Sequence, residues 1–347
     1  MDYLSREYYT HQHKGDTVSY SRLSTFNNCE WEYYLSYILH KPKRNNIYGK
    51  IGGETHDIVQ SMQQGKMTKE EGLKRFLNKI DELKMFDYSF PTEKVEKNFV
   101  ECVSHYIKHF EPITYKKQDI EIGYDIYCGK TNTLVLGFID LLIHNSNDNE
   151  VIIYDYKTSS KYSKVDFNKH KLQLLGYAKG VIDQYNLKPI KTAFDMLKYC
   201  NIKYINNKNK EKKYNCVDRN KIGSKMRKEA EKLLEGRDDI DLILDEFEKT
   251  NEIPEILKDK IKIENYYKEV DISELSLFDE FVDNTIEKIN KKNNANDYKP
   301  KYITEKTSFY CNILCGQRNN CKYYKYFLDH DLNNLKQTDD EDDCDLF

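Results

Sequence analysis

Apolar residues recur along this chain with two different periods, which divide it into a helical front and an α/β centre. From Thr133 to His144, and again from Glu150 to Lys157, Leu, Val, Ile and Tyr dominate. The turn-formers Asn145-Ser146-Asn147-Asp148-Asn149 separate these runs and predict an antiparallel hairpin. Val151-Ile152-Ile153-Tyr154 is continuously apolar, as a buried central strand would be. Another strand is predicted ahead of the hairpin around Asp119-Ile120-Glu121-Ile122-Gly123, and a last one over residues 192–204. A helix containing residues 171–184 lies between hairpin and last strand. Upstream, helical periodicity covers residues 21–40, 56–62, 69–84 and 93–110. Downstream, residues 206–213 read as a polar turn, and 218–234 and 274–292 as helices.

The hairpin also carries chemistry. One strand ends in Gly137-Phe138-Ile139-Asp140, and the other reads Tyr154-Asp155-Tyr156-Lys157-Thr158. Asp155 and Lys157, two apart on a strand, face the same side. A turn centred near Asn147 sets Asp140 almost opposite Asp155. Two carboxylates and a lysine suit Mg²⁺ or Mn²⁺ with an ammonium to orient a water or steady phosphate charge. On an ordinary surface hairpin the same residues would be a solvent-facing ion pair. The apolar run before Asp155 favours burial, where a carboxylate needs a partner.

Three further elements flank the hairpin. Ile51-Gly52-Gly53-Glu54-Thr55-His56 is a G-x-x-x-H element entering a helix, and Gln173-Leu174-Leu175-Gly176-Tyr177 is a Q-x-x-x-Y element on the helix after the hairpin. Ser21-Arg22-Leu23-Ser24-Thr25-Phe26-Asn27-Asn28-Cys29 is a serine-capped helix start ending in a cysteine. In this order the motifs resemble the RecB-like branch of the PD-(D/E)XK nuclease superfamily. Within it, the chain is most similar to iron–sulfur members such as AddB-type nuclease domains and CRISPR adaptation exonucleases. The resemblance covers residues from about 19 to 177 and a cysteine cluster near the C-terminus. It implies an α/β, restriction-endonuclease-like core: a mixed central sheet flanked by helices, with helical N- and C-terminal segments stapled by a cysteine-ligated cluster. It further implies that His56, Asp140, Asp155 and the Tyr156 main-chain carbonyl hold the catalytic metal and that Lys157 is the catalytic lysine. Gln173, Tyr177 and Thr158 would contact DNA or support the site. Glu121 lies where family members often carry an acid and is a second-tier candidate for the metal. His11, His13, His105, His109 and His170 are read as structural or surface residues.

Nine cysteines suggest either disulfides or metal sites. The first twenty residues are polar and charged, without a signal-peptide core, and no apolar run approaches a membrane span, so a cytoplasmic location is expected. There, clustered cysteines read as metal or redox sites. Cys311, Cys315 and Cys321 form C-x3-C-x5-C. The resemblance implies that with Cys29 they hold a 4Fe–4S cluster that fastens the two ends together. Family members have two residues, not three, between the first two of these cysteines, and four thiolates also make a structural Zn²⁺ site. Cys102, Cys128, Cys200 and Cys216 lack such spacing and read as small buried residues.

The formal charge of −3 gives no support to nucleic-acid binding. Residues 191–232 are nevertheless dense in Lys and Arg, which suits either a phosphate backbone or a solvated helix face. The chain therefore divides into a helical region (1–117), a nuclease core (118–204), a mainly helical basic region (205–300), a cysteine segment (301–328) and an acidic tail (329–347). The tail ends Asp345-Leu346-Phe347 after an acidic run that includes Cys344. It resembles sliding-clamp and single-strand-binding-protein docking peptides, although a disordered solubilising tail is the favoured reading. The resulting expectation is a DNA exonuclease for single strands or ends in recombination, repair or replication. A non-catalytic DNA-end-binding subunit and a sequence- or structure-specific endonuclease are the alternatives.

Overall fold

In the computed structural model, which describes residues 17–113, 117–145, 149–301, 303 and 305–325, the apolar runs assemble into a mixed six-stranded sheet flanked by helices. Its strands are β1 (Lys117–Cys128), β2 (Thr133–His144), β3 (Glu150–Lys157), β4 (Lys188–Ile205), β5 (Glu211–Asp218) and β6 (Ile261–Glu269). β1, β2 and β3 form an antiparallel meander, and β3 pairs in parallel with β4. β4 is long enough to take β5 and β6 as antiparallel partners, so the sheet continues past the expected core. A parallel pair needs a crossover, here helix α6 (Lys164–Tyr185).

Among the described residues, five α-helices precede the sheet: α1 (Tyr20–Asn28), α2 (Glu30–Tyr33), α3 (Ile47–Gln63), α4 (Lys69–Met85) and α5 (Glu93–Lys108). Their starts are set by side-chain caps: Ser19 for α1, Asn46 for α3, Thr68 with Glu71 in a reciprocal box for α4, and Thr92 for α5. The predicted 21–40 helix is interrupted. Cys29 is extended, its Sγ accepts the Glu32 N–H at 3.4 Å, and the chain restarts as α2 and then a π-helical turn, Tyr34–Ile38. Region 205–300 contains α7 (Ile222–Leu233), α8 (Ile240–Thr250) and α9 (Ser276–Asn290), besides β5 and β6. The short α10 (Glu305–Phe309) follows. No helix among the described residues is long and apolar enough to cross a membrane.

Alternation along β3 feeds two cores. Val151 and Ile153 pack with Leu174, Leu175, Ala178 and Val181 of α6 and Phe278 of α9. Tyr154 and Tyr156 enter the other core with Ile51, Ile58, Phe76, Phe99 and Val103 of α3, α4 and α5. The glycine of the G-x-x-D motif is a packing requirement: a Cβ on Gly137 in β2, or on Gly180 in α6, would overlap the Tyr124 ring wedged between them.

Candidate active site

The site forms where the sheet forks. β2 and β3 pair from His144↔Val151 to Leu141↔Tyr154, and there their ladder stops. Beyond it β2 stays with β1, while β3 stays with β4 through Asp155↔Phe194, Tyr156↔Asp195 and Lys157↔Met196. Asp140 and Asp155 are the first residues on the two prongs, opposite one another if the register is continued, as the predicted turn requires. Asp140 Oδ2 bridges the gap by accepting the Tyr156 N–H at 3.0 Å. On its other side the β1–β2 ladder skips the position that pairs Glu121 with Asp140; exposed Glu121 has φ 54°, a left-handed conformation uncommon for this residue type.

Because Asp155 shares a sheet face with Val151 and Ile153, it points toward α6, whose Gln173 and Tyr177 stand one helical turn apart. Gln173 Nε2 donates to Asp155 Oδ1 at 3.1 Å and to Tyr177 Oη at 2.7 Å, while its Oε1 accepts from Lys157 Nζ at 3.1 Å. Tyr177 Oη also donates to Asp155 Oδ1 at 3.3 Å. Lys157 Nζ lies 2.7 Å from Asp155 Oδ2 as an ion pair without hydrogen-bond alignment, so charge rather than direction holds that oxygen. From the opposite layer α3 brings His56, whose Nδ1 is 3.4 Å from Asp140 Oδ2 and whose ring stands edge-on to Tyr156 at 6.0 Å. One turn earlier, Gly52 abuts Thr158: a Cβ there would lie 3.5 Å from Thr158 Oγ1. Thr158 thus meets α3 at the end of β3.

The electrostatics follow from burial. Burial first, and the Asp155 carboxylate second, push the Asp140 carboxyl well above its ordinary range. Burial opposes the Lys157 charge, but Asp155, Tyr162 and Asp140 outweigh it and hold the ammonium protonated. Burial lowers the His56 pKa against the pull of Asp155, which favours a neutral imidazole. Two close carboxylates and a neutral imidazole, with one lysine to balance them, form a donor set that fits Mg²⁺ or Mn²⁺. Two residues absent from the expected site also line it. Tyr162 and His170 stack at 4.4 Å, and burial followed by the Lys157 charge pushes His170 down to about 4. The signal was present in the sequence: residues 170, 173 and 177 share one helix face.

The cysteines occupy a second locality. Cys29 Sγ accepts N–H bonds from Glu32 and from Lys301, the latter at 3.3 Å. Burial raises all four thiol pKa values, and three of them are also raised by other thiols of the group: Cys29 by Cys321, Cys311 by Cys29 and Cys321, and Cys315 by Cys29 and Cys311. Around them the C-terminal segment is already fastened to the N-terminal one. Gln317 donates to Ser36 Oγ at 3.1 Å and the Lys41 carbonyl at 3.0 Å, and Asn46 donates to the Leu314 carbonyl at 2.9 Å. Cys102, Cys128 and Cys200 are buried and Cys216 half-buried. His11, His13, Cys344 and the Asp345-Leu346-Phe347 terminus lie outside the described residues.

Much of the basic stretch is neutralised within the fold: Lys191 pairs with Glu269, Lys203 with Glu264, Lys221 with Asp218 and Arg227 with Asp245 and Glu248. Lys208, Lys210, Lys212 and Lys213, around the β4–β5 turn, are exposed and make no ion pair among the described residues.

Comparison with curated proteins finds no significant match. A family model described as the PD-(D/E)XK nuclease superfamily matches residues 17–312, a span that takes in the fork, α3, α6, Cys29 and Cys311 and ends before Cys315. With that match over most of its length and the mixed sheet it requires, the chain belongs to the PD-(D/E)XK nuclease superfamily, a family of metal-dependent nucleases.

Proposed function

We propose that this nuclease is a DNA exonuclease that hydrolyses phosphodiesters of single strands or free ends at the sheet fork. The observation that carries the proposal is the convergence of His56, Asp140, Asp155 and Lys157, drawn from three elements, under the Gln173–Tyr177 pair. In this reading His56, Asp140, Asp155 and the Tyr156 carbonyl hold the divalent ion, with Glu121 a further oxygen donor on the adjacent strand. The bound ion would lower the pKa of a coordinated water and neutralise charge on the scissile phosphate. Lys157 orients the attacking water and faces the developing phosphate charge; Gln173 and Tyr177 fix Asp155 and Lys157, and Thr158 supports the end of β3. Cys29, Cys311, Cys315 and Cys321 would carry a structural 4Fe–4S cluster, with Zn²⁺ as the competing occupant. Preference for single strands or ends, a repair, recombination or replication role, a cytoplasmic location and clamp docking through the Asp345-Leu346-Phe347 tail belong to the same proposal.

The test is Mn²⁺- or Mg²⁺-dependent degradation of labelled, end-blocked oligonucleotides. Asp155→Ala and Lys157→Ala should each abolish it; survival of activity in either variant overturns the assignment. Cleavage of closed circles would favour an endonuclease. Anaerobic purification with iron, sulfide and zinc analysis decides the cysteine occupant.

A further inference from the structure

We propose that His105, His109 and Glu252 form a second divalent-metal site, distinct from the acidic fork and suited to Zn²⁺ or a similar late first-row ion. His105 in the last turn of α5 and His109, its C-cap, stand one turn apart, with ring centroids 4.3 Å apart and planes inclined by 31°. Glu252 comes from the segment after α8 and reaches His109 Nε2 with Oε2 at 2.7 Å. One nitrogen of each imidazole and one Glu252 oxygen lie within 4.8 Å of one another. Around a tetrahedral ion with bonds of about 2.0–2.1 Å, such donors sit roughly 3.3 Å apart. Closing the difference takes rotation of His109 and Glu252, which are both more than a third exposed. The Asn251 carbonyl oxygen, 3.3 Å from His105 Nε2, offers a fourth donor atom.

The backbone that presents these donors is fixed independently of any ion. Asn251 closes α8 in the left-handed conformation, its N–H bonds to the Phe247 carbonyl, and its Oδ1 accepts the Gly223 N–H at 3.0 Å. His105 is buried, its ring held between the Asn251 carbonyl at Nε2 and Arg219 at Nδ1. The opposing element is the Arg219 guanidinium, 3.5 Å from His105 Nδ1. Its charge is shared elsewhere: it donates to Asn265 Oδ1 at 2.7 Å, lies over the Tyr106 ring at 4.9 Å and is drawn toward Asp195. Binding through His105 Nε2 moves the imidazole proton to Nδ1 and turns Arg219 onto those partners. Two nitrogens with one carboxylate select for zinc-type ions over Mg²⁺, which prefers six oxygens. An ion here would clasp α5 to the α8–β6 connection, tying the helical front to the far end of the sheet.

The experiment compares the full-length protein with a His109→Gln/Glu252→Gln variant, both stripped by chelator and loaded with Zn²⁺ or Co²⁺. In the proposed function the cysteines and the fork would also take metal, so the informative quantity is the difference between the two proteins. The variant is expected to bind one Zn²⁺ fewer, to lose part of the zinc-induced rise in melting temperature, and to lose visible Co²⁺ bands that lack sulfur charge-transfer character. Equal zinc stoichiometry and identical cobalt spectra would overturn the proposal and leave a surface ion pair above a buried histidine. Matching far-UV circular dichroism of the metal-free proteins controls for folding, and the Glu252→Gln single variant repeats the test should the double variant not fold.

Discussion

Gln173 is the residue whose replacement reads the site most directly, because it touches Lys157, Asp155 and Tyr177 at once. Gln173→Leu keeps the bulk and removes all three hydrogen bonds. A bond to a charged group contributes about 1.5–3 kcal/mol and a neutral one about 1 kcal/mol. The gross loss is not the net loss, since Lys157 still pairs with Asp155 at 2.7 Å and Tyr177 still reaches Asp155 Oδ1 at 3.3 Å. With no charged group abandoned, stability should fall by about 1–3 kcal/mol. Activity should fall further, roughly 10–100-fold, as expected when groups that orient metal ligands are removed. Urea denaturation measures the first quantity; degradation of labelled single strands at saturating Mn²⁺ measures the second, with the loss expected in kcat more than in KM. Gln173→Glu adds like charge beside Asp155 and should be at least as inactive. Activity of Gln173→Leu within twofold of wild type, alongside the stability loss, would refute a positioning role and leave Gln173 as packing.

In chelator, the raised proton affinity of native Asp140 contributes stability that is fully present below its ordinary carboxyl range and is lost as pH rises through its elevated folded-state value. Denaturation midpoints between about pH 5 and 8 should therefore shift in favour of Asp140→Asn as pH rises, and a parallel pH response would contradict this. Gly137→Ala should cost about 1–3 kcal/mol by crowding Tyr124, and a second change, Tyr124→Leu, should restore much of it if crowding is the cause. Replacing Lys208, Lys210, Lys212 and Lys213 with serine should lower the salt dependence of single-strand binding by up to about 3 in log–log slope if all four meet phosphates; an unchanged slope places the strand elsewhere.

The hairpin was legible because its two runs are strongly apolar and separated by an unbroken set of turn-formers; both strands span the predicted residues. β5 and β6 were not. Glu-Lys-Lys-Tyr-Asn-Cys-Val-Asp and Ile-Lys-Ile-Glu-Asn-Tyr-Tyr-Lys-Glu are charged strands that pair, among the described residues, with β4 alone; β5 is mostly exposed and β6 mostly half-buried, so neither carries the burial signal that marked β3. α8 was also missed, and with it Asp245 and Glu248, the partners that neutralise Arg227. The break in the first helix depends on a thiol acting as cap, a role that helix-start signals assign to Ser, Thr, Asp or Asn. The motifs supplied residues that the fold brings together at the fork, but the packing of Tyr162 on His170 depends on the path of the β3–α6 loop.

What links these features is the backbone rather than any one motif. At the level of Glu121 and Asp140 the inward alternation slips in both strands: Ile122 and Tyr124 face the α6 core while Ile120 faces the other, and Ile139 faces the α6 core while Leu141 does not. A ladder that slips and then parts leaves the Tyr156 N–H without a strand partner from β2, and buried donors need one. The Asp140 carboxylate fills that role through Oδ2 and so is anchored to β3 although its own strand has left. Tyr156 then serves both faces, its N–H holding Asp140 and its ring lying beside His56 in the helical core, while Asp155 and Lys157 on either side of it turn to α6. An Asp140→Ala change should accordingly loosen the prongs as well as remove a proposed metal ligand, whereas Asp140→Asn retains an acceptor for Tyr156. Amide exchange at Tyr156 in the metal-free variants separates the two effects: faster exchange in Asp140→Ala than in Asp140→Asn is expected, and equal protection would show that the fork is held by something other than this carboxylate.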